Sequence, residues 1–274
     1  MLVRVACRGS RLALTQAEQA VERLRRPGLE IALVPMTTTG DRDRTRPFGE
    51  IGERGVFVKE LEEALLEGRV DVAVHSAKDM TSTSADGLVV GAYPPRDDPR
   101  DALCGADRIR AGMRVGTASA RRRAQLLALE PTLSVEPLRG NVDTRLRKRR
   151  ERGLDAIVLA VAGLERLGLG AEIGRRLEPD VVLPEAGQGA LALQVRAGEE
   201  ERVAELDHAE TRLRVEAERR CVATIGAGCL APVAAYHDGD VLTALIADVD
   251  GRWVERRRGD DPVALARELL AVVP

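Results

Sequence analysis

Short apolar runs alternate along this chain with longer stretches whose apolar residues recur every three to four positions, a pattern of strands interleaved with helices. Leu2–Cys7, Ile31–Met36, Val70–His75 and Leu88–Ala92 are the early strand-like runs. Between the first two, Leu12, Ala13, Ala17, Ala20 and Leu24 share a face and predict a helix over 12–25, with Ser10 as the N-cap candidate and Pro27-Gly28 as the stop. Val58, Leu61 and Leu65 predict a second helix from Val56 to Glu67 after Gly55, and the polar run Thr37–Arg46 reads as a mobile loop. These elements make a βαβαβ half.

The prolines at 94, 95 and 99 read as a stiff crossover to a second α/β unit. There Arg114–Gly116, Ser134–Leu138 and Ala156–Ala160 are predicted strands. Helices are expected to open at Thr117–Ser119, to follow Arg139–Arg145 as far as Arg152, and to run from Val161 to near Gly168. The glycine-bearing turn Pro184–Gly189 precedes a strand at Ala190–Val195. From about Glu210 the texture changes to a helix (Arg212–Thr224), strands near Val233–Tyr236 and Val241–Val249, and a final helix (Pro262–Val272), which reads as a small α+β unit.

A chain of 274 residues with 44% hydrophobic residues can bury cores for two or three domains. No apolar run is long enough to span a bilayer, and the N-terminus reads as a strand rather than a signal peptide, so the cytoplasm is the expected location. Net charge of -2 removes a global basic field for nucleic acid, and 2% aromatics argue against base-stacking platforms. Cysteines at 7, 104, 221 and 229 lack metal-ligand spacing and predict free thiols and no metal. Lysine occurs only at 59, 78 and 148, so nearly all of the 42 basic residues are arginine, the side chain suited to bidentate recognition of carboxylate or phosphate.

Position makes some of these residues candidates. His75, Ser76, Lys78 and Asp79 fall at the carboxyl end of a strand, where open α/β sheets bind ligands. Arg121, Arg122 and Arg123 occupy the first turn of a predicted helix, where cations oppose the macrodipole and a bound anion would restore the balance. Arg139 and Arg145 lie at another strand end, whereas Arg147–Arg150 reads as a solvated face. The Gly-x-Gly at 187–189 misses the dinucleotide fingerprint, and no phosphate loop is present.

The chain resembles the porphobilinogen deaminase (hydroxymethylbilane synthase) family. The segments that carry the likeness are Ala6–Leu14, Gly55–Glu62, Val72–Asp79, Gly116–Arg122, Leu138–Arg145, Leu159–Arg166, Leu183–Gly189 and Gly228-Cys229, in that order over most of the length. The resemblance implies two type II periplasmic-binding-protein-like α/β domains with a cleft between them, plus a small α+β third domain. The expected boundaries are 1–94 with 190–208, then 98–186, then 211–274. It implies a monomeric transferase that joins four porphobilinogen molecules head to tail with loss of ammonia, then releases hydroxymethylbilane by hydrolysis, in tetrapyrrole biosynthesis.

By the same resemblance, a dipyrromethane cofactor is attached through a thioether to Cys229, and Asp79 is the catalytic carboxylate. The family's carboxylate-binding positions fall on Arg8, Lys78, Arg121, Arg122, Arg139, Arg145 and Arg166, and its lesser binding positions on Ser10, Lys59, Thr117 and Ser119. The chemistry agrees with the residue types. Fixed cations suit a chain that accumulates acetate and propionate groups. A carboxylate near the pyrrole nitrogens can assist the departing amine and offset the cationic, azafulvene-like electrophile it leaves. Departures from the family pattern are Met80-Thr81 after Asp79, Arg11 in place of a proline, and Ala227 in place of a glycine. Two rivals explain the arginines alone: a non-catalytic anion binder, which needs neither Asp79 nor Cys229, and an enzyme of phosphorylated small molecules.

Overall fold

In the computed structural model, which describes residues 2–22, 24–25, 27–38, 58–81, 84–226 and 232–273, the first β-α-β crossover is built as its pattern predicts. Strand β1 (Leu2–Arg8) pairs in parallel with β2 (Glu30–Met36) along its whole length. Helix α1 spans Arg11–Glu22, shorter than the 12–25 expected. Leu24 and Arg25 donate to Val21 and Glu22, three residues back, so the helix tightens and ends ahead of Pro27, which cannot continue it.

The chain divides into two units, Met1–Asp97 with Ala190–Leu213 and Asp98–Gly189 with Arg214–Pro274. In the first, β1, β2, β3 (Val72–Ser76), β4 (Leu88–Ala92) and β10 (Leu191–Arg196) form one sheet in the order β2-β1-β3-β10-β4. β10 alone runs antiparallel to its neighbours, so Leu191 at its start faces Ser76 at the end of β3. Both faces of this sheet are apolar, as the unbroken valine runs require. Val5, Cys7, Val72 and Val74 pack on one side with Ala17, Ala20 and Val21 of α1. Ala6 and Ala73 pack on the other with Leu61, Ala64 and Leu65 of α2 (Lys59–Leu66). Of the helix expected over Val56–Glu67, residues 56 and 57 lie outside the described residues, as does most of the Thr37–Arg46 loop.

The second unit repeats the plan. β5 (Asp101–Cys104), β6 (Arg114–Gly116), β7 (Ser134–Glu136), β8 (Ala156–Ala160) and β9 (Ile173–Leu177) order as β7-β6-β8-β5-β9. β6, β7 and β8 are parallel, and β5 again runs antiparallel, with Asp101 opposite Ala160 at the end of β8. The strand order is therefore the same in both units. α3 (Ala120–Leu129) covers one face through Leu126; α4 (Val142–Glu151) and α5 (Val161–Arg166) cover the other through Leu146 and Leu164.

A smaller antiparallel sheet, β11 (Val233–His237), β12 (Leu242–Ala247) and β13 (Val254–Gly259), carries α6 (Ala209–Ile225) and α7 (Pro262–Leu270) on one face. Its other face presents Ala234, Leu245 and Ala247 to Ala124 of α3 and to Leu183. Strands β5, β9 and β13 are additions to the sequence pattern.

Candidate functional site

Topology delivers the candidate residues to one edge of each sheet. In the first unit β1 ends at Arg8 and β3 runs into a single 3-10 turn, Ala77–Asp79, pinned by the Ala77 N–H donating to the Ala190 carbonyl at 3.0 Å. Arg8 Nη1 lies 3.5 Å from Asp79 Oδ2, both partly exposed. Ser10 caps α1 by accepting from the Ala13 N–H at 3.2 Å, which fixes the hydroxyl beside them. Arg8, Ser10, Gln16, His75, Ser76, Lys78 and Asp79 line one pocket of about 80 Å³, room for a carboxylate or a ring edge. Gln16, buried on α1, was missed by the sequence pattern; its signal was a polar residue on an otherwise apolar stripe. Lys59, at the start of α2, is exposed and 3.9 Å from Glu63, outside that pocket's lining.

At the matching edge of the second unit, Thr117 and Ser119 follow β6. The Thr117 hydroxyl accepts from the Ser119 N–H at 3.2 Å, and Ser119 caps α3 by accepting from the Arg122 N–H at 3.4 Å. Arg121 and Arg122 then turn inward and are only 4% and 5% exposed. Because β5 runs antiparallel, it brings Asp101 to this edge, fully buried. Arg122 donates to Asp101 Oδ1 from Nε at 3.1 Å and Nη2 at 2.7 Å, and Gln188 adds a third bond at 2.9 Å. Arg121 Nη2 is 2.8 Å from Asp101 Oδ2, a charge contact whose angle falls outside hydrogen-bond geometry. Its Nη1 donates to the Leu183 carbonyl at 2.6 Å, while its buried Nε has no hydrogen-bond partner among the described residues.

Burial would raise the Asp101 pKa, but the charges of Arg121 and Arg122, with hydrogen bonds from Arg122 and Gln188, outweigh it and hold the carboxyl well below the usual range. The expectation that these arginines await an external anion is therefore modified: one of their two charges is met internally. The excess of one buried cation remains, at the N-terminal end of a helix.

The other arginines of this unit are less buried. Arg139 is half-buried and its carbonyl accepts from Lys148 Nζ at 3.1 Å; Arg145 Nε donates to the Gly140 carbonyl at 2.6 Å; Arg166 Nη2 donates to the Gly189 carbonyl at 2.7 Å. Gly187 and Gly189 both adopt positive φ, 74° and 87°, which L side chains avoid, and the turn they make carries Gln188 to Asp101. Glu218 of α6, fully buried, accepts from the Gly187 N–H at 2.8 Å and the His237 N–H at 2.9 Å, tying that turn to the small sheet. Of the solvated face expected at 147–150, Arg149 departs: its Nε is buried.

Cys7, Cys104 and Cys221 are free, buried thiols, and burial pushes them up to about 11, 12 and 12. Cys229 and Ala227 lie outside the described residues. Among the described residues no cluster of metal-ligating side chains occurs, and no helix is long and apolar enough to cross a membrane.

In each unit one sheet edge of this α/β protein gathers cations around a carboxylate, Arg8 and Lys78 near Asp79 and Arg121 and Arg122 around Asp101. Residues 3–204 match a family model described as porphobilinogen deaminase, dipyromethane cofactor binding domain. The porphobilinogen deaminase of Syntrophotalea carbinolica is 45% identical over 278 residues, covering 96% of this chain and 88% of that one. That of Roseiflexus sp. (strain RS-1) is 46% identical over 287 residues, covering 97% and 95%. Among solved structures, the aliphatic sulphonate binding protein SsuA from Escherichia coli is similar at 16% identity and a TM-score of 0.42, covering 80% of this chain and 68% of that one, too distant to carry weight. The chain belongs to the porphobilinogen deaminase family.

Proposed function

We propose that this protein is a transferase that condenses four porphobilinogen molecules head to tail and hydrolyses the product to hydroxymethylbilane, with Asp79 as the catalytic residue. The observation that carries this proposal is the pocket where Arg8, Lys78 and Asp79 meet, in a chain of this family. At each condensation a C–N bond to the substrate's aminomethyl group breaks, ammonia leaves, and a C–C bond forms to the next pyrrole with loss of its ring proton. In this reading Asp79, whose Oδ2 lies 3.5 Å from Arg8 Nη1, hydrogen-bonds pyrrole N–H groups and balances the positive charge that grows as ammonia departs. Arg8 orients that carboxylate, and Arg8 and Lys78 take substrate carboxylates.

The dipyrromethane cofactor, when bound, supplies a covalently held pair of pyrroles to extend. The second unit fits it: the uncompensated buried charge and the orphaned Arg121 Nε suit a carboxylate, with Thr117, Ser119, Arg139, Arg145 and Arg166 at the same sheet edge for others. We assign the attachment to Cys229, with 211–274 as a third, cofactor-carrying domain beside 1–94 with 190–208 and 98–186. Support comes from the three other thiols, which burial keeps protonated and unreactive at neutral pH. Lys59 and Ser10 complete the set as minor contacts, and the enzyme acts as a cytoplasmic monomer. Incubation with porphobilinogen should release ammonia and form hydroxymethylbilane; binding without ammonia release would favour the non-catalytic anion binder.

A further inference from the structure

One buried polar chain in the first unit has no part in the chemistry above. Gln194 of β10, with no exposed surface, stands between Glu62 of α2 and His75 of β3, which is only 5% exposed. Gln194 Nε2 donates to Glu62 Oε1 at 2.8 Å, and Gln194 Oε1 lies 3.1 Å from His75 Nε2. Glu62 Oε1 also receives the Ala85 N–H at 3.4 Å. Glu62 Oε1 accepts from both the Gln194 amide and the Ala85 N–H, which turns the amide nitrogen of Gln194 toward Glu62 and the amide oxygen toward His75. That oxygen only accepts, so the imidazole must carry its proton on Nε2.

We propose that Glu62, Gln194 and His75 form a positioning relay for the catalytic carboxylate, locking His75 as an Nε2–H donor at the wall of the Asp79 pocket. The proposal rests on the assignment of Asp79 above. His75 lines that pocket with two cations, Arg8 of β1 and Lys78 of its own strand end, and one carboxylate, Asp79. α1 and its cap contribute Ser10, Leu12, Ala13 and Gln16 to the lining, none of them charged, and the carboxylate of α2, Glu62, reaches His75 only through Gln194. His75 lies four residues before Asp79, so tying its ring to β10 and α2 anchors the turn that carries the carboxylate. Partners that fix the tautomer of a site histidine commonly matter to function although they touch no substrate.

The test combines nitrogen NMR with kinetics. With only 3 histidines in the chain, loss of one imidazole signal in His75→Leu assigns it. The wild type should show the Nε2–H tautomer, and Glu62→Gln, which lets the Gln194 amide rotate, should give a mixture. Since glutamine can place an N–H where Nε2 was, His75→Gln should keep kcat within about threefold, whereas His75→Leu should lose about tenfold or more in kcat with KM changed less than about twofold. An Nδ1–H tautomer in the wild type, or equal kcat in the Leu and Gln variants, would overturn the relay. Wild-type turnover in Asp79→Asn would instead overturn the assignment of Asp79, because the tautomer is read without turnover.

Discussion

Asp101 is the one carboxylate shared by the buried guanidinium groups of Arg121 and Arg122, and removing it leaves both without that counter-ion. Asp101→Asn should therefore cost about 3–5 kcal/mol in urea unfolding at pH 7. The pKa of Asp101 is depressed in the folded state, so its contribution is present above the unfolded value near 4 and is lost as pH falls through the folded one. The stability gap between wild type and variant should accordingly shrink below about pH 4, and a constant gap would assign the cost to something other than charge. Arg122→Leu breaks the same pair and should lose stability as well as turnover, so it reports poorly on ligand binding. Arg139 is the cleaner probe, because it is half-buried and follows β7 rather than sitting on α3 beside Asp101. Arg139→Leu should lower kcat/KM by about one to two decades, the worth of a charge-assisted contact of about 1.5–3 kcal/mol. The matched control is Arg147→Leu, exposed and 3.4 Å from Glu151, which should leave the rate near wild type; equal losses would place the anion site elsewhere.

Among the elements, α4 depends most on its ends. Only Leu146 of its ten residues is fully buried, and Lys148, Arg149 and Arg150 complement the macrodipole in its last turn. Asn141 caps the first turn by accepting from the Thr144 N–H at 3.1 Å. Asn141→Ala should cost about 1 kcal/mol by urea unfolding and Asn141→Ser much less; a loss shared equally by both would mean that the cap contributes little. The crossover helices and central strands were legible in sequence because each carries a full run at its own period. β5 was not: it is four residues long, begins with an aspartate, and follows the polar stretch 96–100 that reads as linker. β13 hides for a similar reason, since Glu255 and Arg256–Arg258 give a charged string with no apolar period, and a partner such as Gln125, whose Oε1 accepts from Arg256 at 2.9 Å, lies far along the chain. Missing β5 also hid Asp101. The arginines at 121 and 122 were legible as misfits at a helix start, but the carboxylate that meets one of their charges comes from a strand with no local signal.

At the scale of the whole molecule, one strand order occurs twice, and each time the single antiparallel strand enters at the edge where the candidate residues gather. The duplication places Arg8 and Asp79 in one unit and Arg121, Arg122, Arg139 and Arg166 in the other. What separates an enzyme of the porphobilinogen deaminase family from an anion binder of the same architecture is a covalent primer on one cysteine. The decisive measurement is the intact mass of protein purified from cells that make porphobilinogen, followed by digestion. The mass should equal the polypeptide plus two linked pyrrole units, on the peptide that contains Cys229, and Cys229→Ser should lose adduct and activity together. An unmodified but active protein, or an adduct on Cys7, Cys104 or Cys221, would contradict it.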